Sequence, residues 1–557
     1  AFTRRKLITS LGLGSVRALC LLTLLAALSC KQSETKVTAT VVNGVTATPR
    51  AGGQLVFGFD GAAVSQFKLD PHTSLYAPHH RVMRSIYDSL VVALPNHSYG
   101  PWLAQSWEVA ADGLSYTFHL RENVQFHDGT PCDAAAVKFN FDRIKDPQTA
   151  AYSVVDIGTY ESATVIDPLT VRIQFSQPFA PFLSNLARST LGIVSPTAVN
   201  KYGADFPLHP VGTGPFQFKS LQPATEIVLE RNANYQWPPA GSAHTGAPWL
   251  ERVVFKNVPE EATRVAVLAN GQAGAVDLIP PQNLVSLRND KAYRVIEGEL
   301  LNQNYSLYLN TARPPWNEPR MREAFRLTLD LDSAVKTIYL GTQARAWSPL
   351  SPSLLGYDKS LEHSWQPDKA AAARILDELG WKPGPDGVRV KDGKRLTLAF
   401  LDTQGNREKR LDLVTVLRRQ LRDNGFDLRV DSQPAGLYQA KTASGDYDAL
   451  GASQFATDPD VLRRLHSPRL RSTLSVARTD DPELTQLLED GSLELDVEKR
   501  KQIYARIQHI IVERGYAFPA YVLLYSIATA ERVQGIRIDP HGFPVFYDTW
   551  LRELEHS

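Results

Sequence analysis

Residues 112–131, DGLSYTFHLRENVQFHDGTP, decide the fold. Apolar residues alternate with polar ones in the first half of this stretch, at Leu114, Tyr116, Phe118 and Leu120. A period of two is typical of a strand with one buried face. Further apolar residues then follow at helical spacing behind Asp133, a residue type that caps helices: Val137, Phe141 and Ile144. A strand followed closely by a helix indicates mixed α/β structure.

The same mixture continues on both sides of this stretch. Residues 54–59, QLVFGF, predict a first strand, and the apolar run 517–527 predicts one buried strand near the end. In between, residues 395–401 predict a strand, 407–424 a helix closed by Gly425, and 426–430 a second strand. That β-α-β order implies parallel pairing in the second half of the chain.

Length and composition limit the function classes. A chain of 557 residues exceeds what a single hydrophobic core supports, so two large lobes are expected. With 43% hydrophobic and 21% charged residues, the chain is neither a membrane bundle nor a disordered protein. Lys plus Arg number 60 and Asp plus Glu 59, which gives no electrostatic reason to expect a nucleic-acid partner.

The N-terminal segment predicts export. Basic residues 4–6 precede an apolar run at 19–28, which suits a signal peptide and resembles, with its two adjacent arginines, a twin-arginine signal. The run ends in residues 26–30, AALSC, similar to a bacterial lipobox in which Cys30 would be lipidated. An ordinary cleaved signal with an incidental cysteine is the alternative, and the export route stays open. Residues 31–52 predict a flexible tether.

Signatures of catalysis are missing from the sequence, which contains no HExxH, CxxC, Walker loop or GxSxG elbow. Residues 212–215, GTGP, carry a proline where a phosphate-binding loop needs backbone donors. The pairs at 79–80 (HH) and 127–128 (HD) fit hydrogen-bonding loop residues better than metal ligands. We therefore expect no catalytic residue, no cofactor and no metal site.

Motifs in a fixed order indicate a family. They are residues 69–72 (LDPH), 86–91 (IYDSLV), 101–107 (PWLAQSW), 112–121 with 126–131, 211–216 (VGTGPF) and 309–315 (LNTARPP). Together they resemble the oligopeptide, dipeptide and nickel-binding family 5 of bacterial extracytoplasmic solute-binding proteins, across nearly the whole chain after the tether.

The resemblance implies an α/β clamshell of the type II periplasmic-binding-protein class, with two lobes and an extra small domain in the first. It implies lobe I at 53–94, 210–305 and 522–557, the small domain at 95–209 and lobe II at 306–521, after a signal peptide at 1–30. The hinge is expected to be crossed twice.

The implied function is a monomeric lipoprotein at the periplasmic or outer cell surface, anchored in the membrane through Cys30. It would capture a peptide or similar small ligand between its lobes and deliver it to an ABC import permease. A clamshell sensor for a sugar, an opine or a metal chelate is the alternative.

Candidate ligand contacts come from the same resemblance. Peptide-binding relatives place an acid three residues before an Asp-Pro pair to hold the peptide's amino group; here the pair is Asp458-Pro459, and Phe455 stands where the acid would be. Ala452 replaces the usual tryptophan. A shifted register would allow Asp446, Asp448 or Asp460 to act instead. The predicted ligand-binding residues are Trp347, Ser453, Gln454, Phe455 and Asp448.

Overall fold

A computed structural model describes residues 40–42, 45–61, 67–74, 76–298, 300–470 and 475–553. The predicted signal peptide and Cys30 lie outside the described residues, as does part of the tether. Within the described part of the predicted tether, Thr40–Val42 and Val45–Ala47 form a short antiparallel hairpin. Over the described ranges, no helix is both long enough and apolar enough to cross a bilayer.

The strands, in chain order, are β1 (Thr40–Val42), β2 (Val45–Ala47), β3 (Gln54–Phe59), β4 (Val91–Leu94), β5 (Ser98–Pro101), β6 (Ala104–Val109), β7 (Ser115–Leu120), β8 (Tyr160–Asp167), β9 (Thr170–Phe175), β10 (Phe216–Gln222), β11 (Glu226–Arg231), β12 (Arg252–Asn257), β13 (Ala275–Asp277), β14 (Tyr293–Glu297), β15 (Asn302–Leu309), β16 (Lys382–Pro383), β17 (Arg389–Lys391), β18 (Lys394–Arg395), β19 (Thr397–Thr403), β20 (Asp427–Gln433), β21 (Ala449–Phe455), β22 (Phe518–Tyr521), β23 (Ser526–Ala530), β24 (Val533–Gln534), β25 (Arg537–Ile538), β26 (Pro544–Val545) and β27 (Trp550–Leu551).

The α-helices are α1 (Ala77–Met83), α2 (Ala134–Lys145), α3 (Phe182–Leu186), α4 (Pro196–Tyr202), α5 (Glu261–Ala269), α6 (Pro281–Leu287), α7 (Pro319–Thr328), α8 (Leu331–Tyr339), α9 (Lys369–Glu378), α10 (Arg410–Asp423), α11 (Ala435–Ser444), α12 (Val461–His466), α13 (Pro482–Leu493) and α14 (Val497–Glu513).

Lobe I is built on a seven-stranded sheet with the order β10-β11-β12-β3-β13-β23-β14. The apolar strand β3 lies at its centre and pairs in parallel with both β12 and β13. Phe57 and Phe59 of β3 are fully buried and pack edge-on against Phe255. Central placement fits an apolar strand, because both of its faces are covered.

The small domain is built on a four-stranded sheet, β6-β7-β9-β8, with helix α2 packed against β8 and β9. The alternation in β7 is observed as predicted, since Tyr116, Phe118 and Leu120 are buried in one core. Asp133 caps α2 by accepting a hydrogen bond from the backbone N–H of Ala136 at 3.0 Å.

Lobe II is built on a five-stranded sheet with the order β20-β19-β21-β15-β22. β19 pairs in parallel with β20, with α10 between them in the chain, which confirms the predicted β-α-β unit. α9 begins at Lys369, directly after Asp368, which caps it by accepting from Ala371 N–H at 2.8 Å.

The chain passes between the two large sheets twice. One passage lies between the end of β14 at Glu297 and the start of β15 at Asn302, a few residues before the predicted boundary at 305; the other is at 522–525, between β22 and β23. The apolar run 517–527 is therefore two strands rather than the single predicted one, because it leaves one sheet and enters the other. Before β3 of lobe I, Arg50 Nη1 lies 3.1 Å from Glu553 Oε2, and β27 pairs with β24.

Candidate functional site between the lobes

The lobes meet in a cleft whose floor is formed by strand ends. On lobe I, β13 ends at Asp277, and helix α1 places Arg81 beside it, with Nη1 3.4 Å from Asp277 Oδ2. Tyr525, on the second passage, donates a hydrogen bond to Asp277 Oδ2 at 2.8 Å. Open α/β sheets bind ligands outside the carboxyl ends of their strands, so this is where a site is expected.

Lobe II contributes the segment between β19 and α10, residues 404–409, together with the first residue of α10. Glu408 is half-buried here, with a side chain that is 10% exposed, and accepts from Arg410 Nη2 at 2.8 Å and from Tyr521 Oη at 3.1 Å. Burial works to raise the pKa of Glu408, but the charges of Arg410 and Arg407 outweigh it and hold that pKa at about 2. Glu408 is therefore a permanent carboxylate in this part of the cleft.

Side chains join the lobes directly near this cluster. Lys409 Nζ of lobe II is 2.9 Å from Glu261 Oε2 of lobe I. Gln439 on α11 donates to the hydroxyl of Tyr76, just before α1, at 2.6 Å. A cavity of about 30 Å³ lies beside the ion pair, room for roughly one water molecule. The lobes are thus in a closed arrangement.

A second group of contacts joins lobe II to the small domain. Asp156 binds Arg188 Nη1 at 2.6 Å within the small domain, and it also pairs with Arg464 of α12. The two arginine charges lower the pKa of Asp156 in spite of its burial. Ser184 Oγ and Thr457 Oγ1 lie 2.6 Å apart across the same boundary.

Two of the predicted ligand residues lie at the cleft. Ser453 Oγ accepts from Arg410 Nη2 at 2.8 Å, which places it beside the charged cluster. The ring of Phe455 lies 5.1 Å from the ring of Phe543 in lobe I, and its carbonyl oxygen accepts from Arg188 Nη2 at 3.5 Å. Gln454, between them on β21, lies opposite Gln303 of β15.

Trp347 lies elsewhere in lobe II. Its ring is 4.8 Å from that of His363 and 6.3 Å from that of Trp365, and the guanidinium of Arg345 lies 4.3 Å from its ring centroid. These neighbours all belong to lobe II, and neither Ser453 nor Phe455 is among the ring and guanidinium contacts of Trp347 over the described residues.

Three acids would be candidates for the peptide's amino group if the register were shifted, and each already contacts another residue of the protein: Asp446, Asp448 and Asp460. Asp448 precedes β21 at the end opposite Phe455, about 23 Å away along the strand, and accepts from Ala399 N–H at 2.8 Å. Asp446 lies 3.4 Å from Lys441. Asp460 is held by Arg463 at 2.8 Å.

Sequence reasoning missed Arg81, Arg407, Glu408 and Arg410. A signal for the last three was present, because the charged run 407–410 follows strand β19 of a parallel β-α-β unit, at the sheet edge where ligands bind. Arg81 had no such signal, since its neighbours come from distant parts of the chain.

Comparison with known proteins agrees with the motifs. Residues 98–468 match the family described as "Bacterial extracellular solute-binding proteins, family 5 Middle". The glutathione-binding protein GsiB of Salmonella paratyphi A is 29% identical over 498 residues, which cover 87% of this chain and 92% of GsiB.

Solved structures share the fold. DppA from Helicobacter pylori, in complex with peptide STSA, has a TM-score of 0.78 at 23% identity, over 90% of this chain and 99% of DppA. NikA from Brucella suis, in complex with Fe(III)-EDTA, has a TM-score of 0.77 at 24% identity, over 90% and 100%. The predicted two-lobed α/β fold is confirmed. This chain belongs to the bacterial extracellular solute-binding proteins of family 5.

Proposed function

We propose that this protein captures a peptide or a similar small molecule between its lobes and delivers it to an ABC import permease. The observation that carries the proposal is the cleft itself, in which charged side chains of the two lobes face one another, with Lys409 Nζ of lobe II 2.9 Å from Glu261 Oε2 of lobe I. GsiB is named as a glutathione-binding protein, and DppA is described as associated with an ABC transporter. Binding without bond cleavage is the activity these features support.

Closure supplies the signal to the permease in this proposal. A ligand that touches both lobes favours the closed form by its difference in affinity for the two forms. The two passages, between β14 and β15 and at 522–525, are short and act as the hinge. The contacts of Lys409 with Glu261 and of Gln439 with Tyr76 then add to the closed form only.

We expect ligand to reduce the radius of gyration of the purified protein, measured by small-angle scattering. Native mass spectrometry of the protein from its host would identify the ligand to add back. The Lys409→Met variant should need more ligand for the same compaction, because the ion pair with Glu261 is lost. An unchanged radius with a verified ligand would contradict closure.

We also propose that the mature protein is anchored in the membrane by lipid on Cys30. A charged start, an apolar run and a cysteine before the tether support this proposal. Cys30→Ser should move the protein from the membrane fraction to the soluble fraction and abolish labelling by a radioactive fatty acid. Cys20→Ser, a change inside the predicted signal peptide, is the matched control and should leave both unchanged. Unaltered membrane partitioning of Cys30→Ser would refute the anchor.

A further inference from the structure

Helix α12 of lobe II lies against the small domain. Its Arg464 pairs with Asp156, a carboxylate that Arg188 also contacts, at 2.6 Å, from within the small domain. The preceding residue, Arg463, has its guanidinium 6.0 Å from the ring centroid of Phe179. The side chains of Asp156 and Arg464 are 2% and 11% exposed, so salt screens this ion pair only weakly.

Neutral hydrogen bonds cross the same boundary beside the ion pair. Thr457 Oγ1 donates to the carbonyl of Ser184 at 3.1 Å, and the hydroxyl oxygens of these two buried residues are 2.6 Å apart. The backbone N–H of Ala180 donates to the carbonyl of Ser492, in the last turn of α13, at 2.8 Å. Hydrogen bonds weaken steeply when they are misaligned, so this set requires one defined arrangement of lobe II on the small domain.

The small domain is in turn fixed to lobe I. Arg143 of α2 binds both oxygens of Asp70 in lobe I, with Nη2 2.6 Å from Oδ2 and Nη1 3.2 Å from Oδ1. The backbone N–H of Ser153 donates to the carbonyl of His72 at 3.2 Å. A bidentate arginine–carboxylate pair fixes direction as well as distance. Contacts that hold lobe II on the small domain therefore also hold it on lobe I.

The polar contacts that join lobe II directly to the body of lobe I are more exposed. The side chains of Lys409 and Glu261 are 23% and 22% exposed, and the hydrogen bond from Gln439 to Tyr76 is exposed as well. Exposed ion pairs contribute little, whereas removing one partner of a buried pair is strongly destabilising. We therefore expect the closed form to depend more on the small domain than on these two contacts.

We propose that the small domain is a latch that keeps a fraction of the molecules closed before any ligand contributes, an inference that rests on the proposed closure. The latch consists of Asp156, Arg188 and Ser184 of the small domain with Arg464 and Thr457 of lobe II. Asp156 is its centre, because closing adds Arg464 to a carboxylate that already has Arg188. A ligand then shifts an equilibrium whose starting point this interface sets.

The test traps the closed form with a disulfide. Ser184→Cys combined with Thr457→Cys replaces two oxygens that are 2.6 Å apart. Oxidised glutathione should link the two cysteines in dialysed protein that native mass spectrometry shows to be free of ligand, and peptide mapping measures the rate. Adding Asp156→Asn should slow the reaction about tenfold or more, because closing then buries Arg464 without a carboxylate.

Two further variants in the same two-cysteine protein complete the test. Arg464→Gln changes the partner on lobe II and should slow the reaction similarly, which keeps the test valid if Asp156→Asn does not fold. Asp142→Asn is the matched control and should leave the rate unchanged, because Asp142 binds Lys138 and Tyr160 of its own domain.

Two outcomes would overturn the latch: no disulfide without ligand, or the same rate in Asp156→Asn and Arg464→Gln as in the protein with both charges. The scattering experiment with a verified ligand separates the latch from the proposed function. Ligand-driven compaction without ligand-free crosslinking would refute the latch and keep the proposed function. Ligand-free crosslinking that depends on Asp156 and Arg464, without any compaction by ligand, would refute the proposed closure and keep the latch.

Discussion

Replacing Asp458 with alanine is expected to destabilise lobe II by about 3–5 kcal/mol, the cost of leaving a buried charge without its partner. Asp458 lies at the start of the segment before α12 and binds Arg500 of α14 through both oxygens, at 2.6 and 2.7 Å. Arg500 is itself buried. The corresponding fall in melting temperature is roughly 6–20 °C for a lobe of this size, measured by calorimetry.

A double variant separates the lost ion pair from lost packing. Asp458→Leu combined with Arg500→Met removes both charges, and it should recover most of the stability that Asp458→Ala loses. Equal instability of the single and double variants would show that packing, rather than the unpaired guanidinium, is the cause. Asp458 would then stabilise lobe II through the packing of its side chain and not through its charge.

The second large effect concerns peptides with a free amino group, which we expect to bind poorly. Phe455 occupies the position where peptide-binding relatives carry an acid, and Arg188 lies against its carbonyl oxygen. Burying an ammonium without a paired acid costs several kcal/mol, whereas an aromatic face returns only about 0.5–2 kcal/mol. Calorimetry with di- to pentapeptides should show similar affinity before and after N-terminal acetylation.

Two variants sharpen this comparison. Phe455→Asp should gain about tenfold or more for free amino termini, because a carboxylate then faces the ammonium. Phe455→Leu removes the ring that packs on Phe543 without adding charge, and it should show no such gain. If the wild-type protein loses tight binding when the peptide is acetylated, the prediction is wrong. The amino group would then be bound by Asp446, Asp448 or Asp460.

Local patterns in the sequence predicted the strands and helices well, because alternation and capping act over a few residues. The alternation in β7 and the cap at Asp133 are examples. The run 517–527 was misjudged for a physical reason. Strands of both large sheets are equally apolar, so nothing in the composition marks the change of sheet at 522–525. Pro519 was the available clue, since β22 is an edge strand, where proline is tolerated.

The cleft was harder to predict than the fold. Arg81 contacts Asp277 and Tyr525, which are far away in the chain, and such neighbours follow from tertiary structure rather than from local pattern. The resemblance pointed to β21, where Phe455 contacts Phe543 of lobe I and Ser453 accepts from Arg410 of the charged cluster; their role in binding stays a prediction. Asp448 and Trp347 also remain predictions, and the hydrogen bonds, ion pairs and ring contacts that they make among the described residues are all with lobe II.

The contact between Arg50, which precedes the first strand of lobe I, and Glu553, which follows β27, bears on how the lobes can move. The chain enters lobe I at β3 and, after the second passage, stays in lobe I as far as residue 553, so neither of these connections crosses between the lobes. Lobe II is connected to lobe I only through the passages between β14 and β15 and between β22 and β23, so in the proposed closure it would turn without moving residues 50 and 553. The distance between dyes attached to residues 50 and 553 should therefore stay constant during closure. If one of the two dyes is placed on α10 of lobe II instead, the distance between the dyes should change during closure.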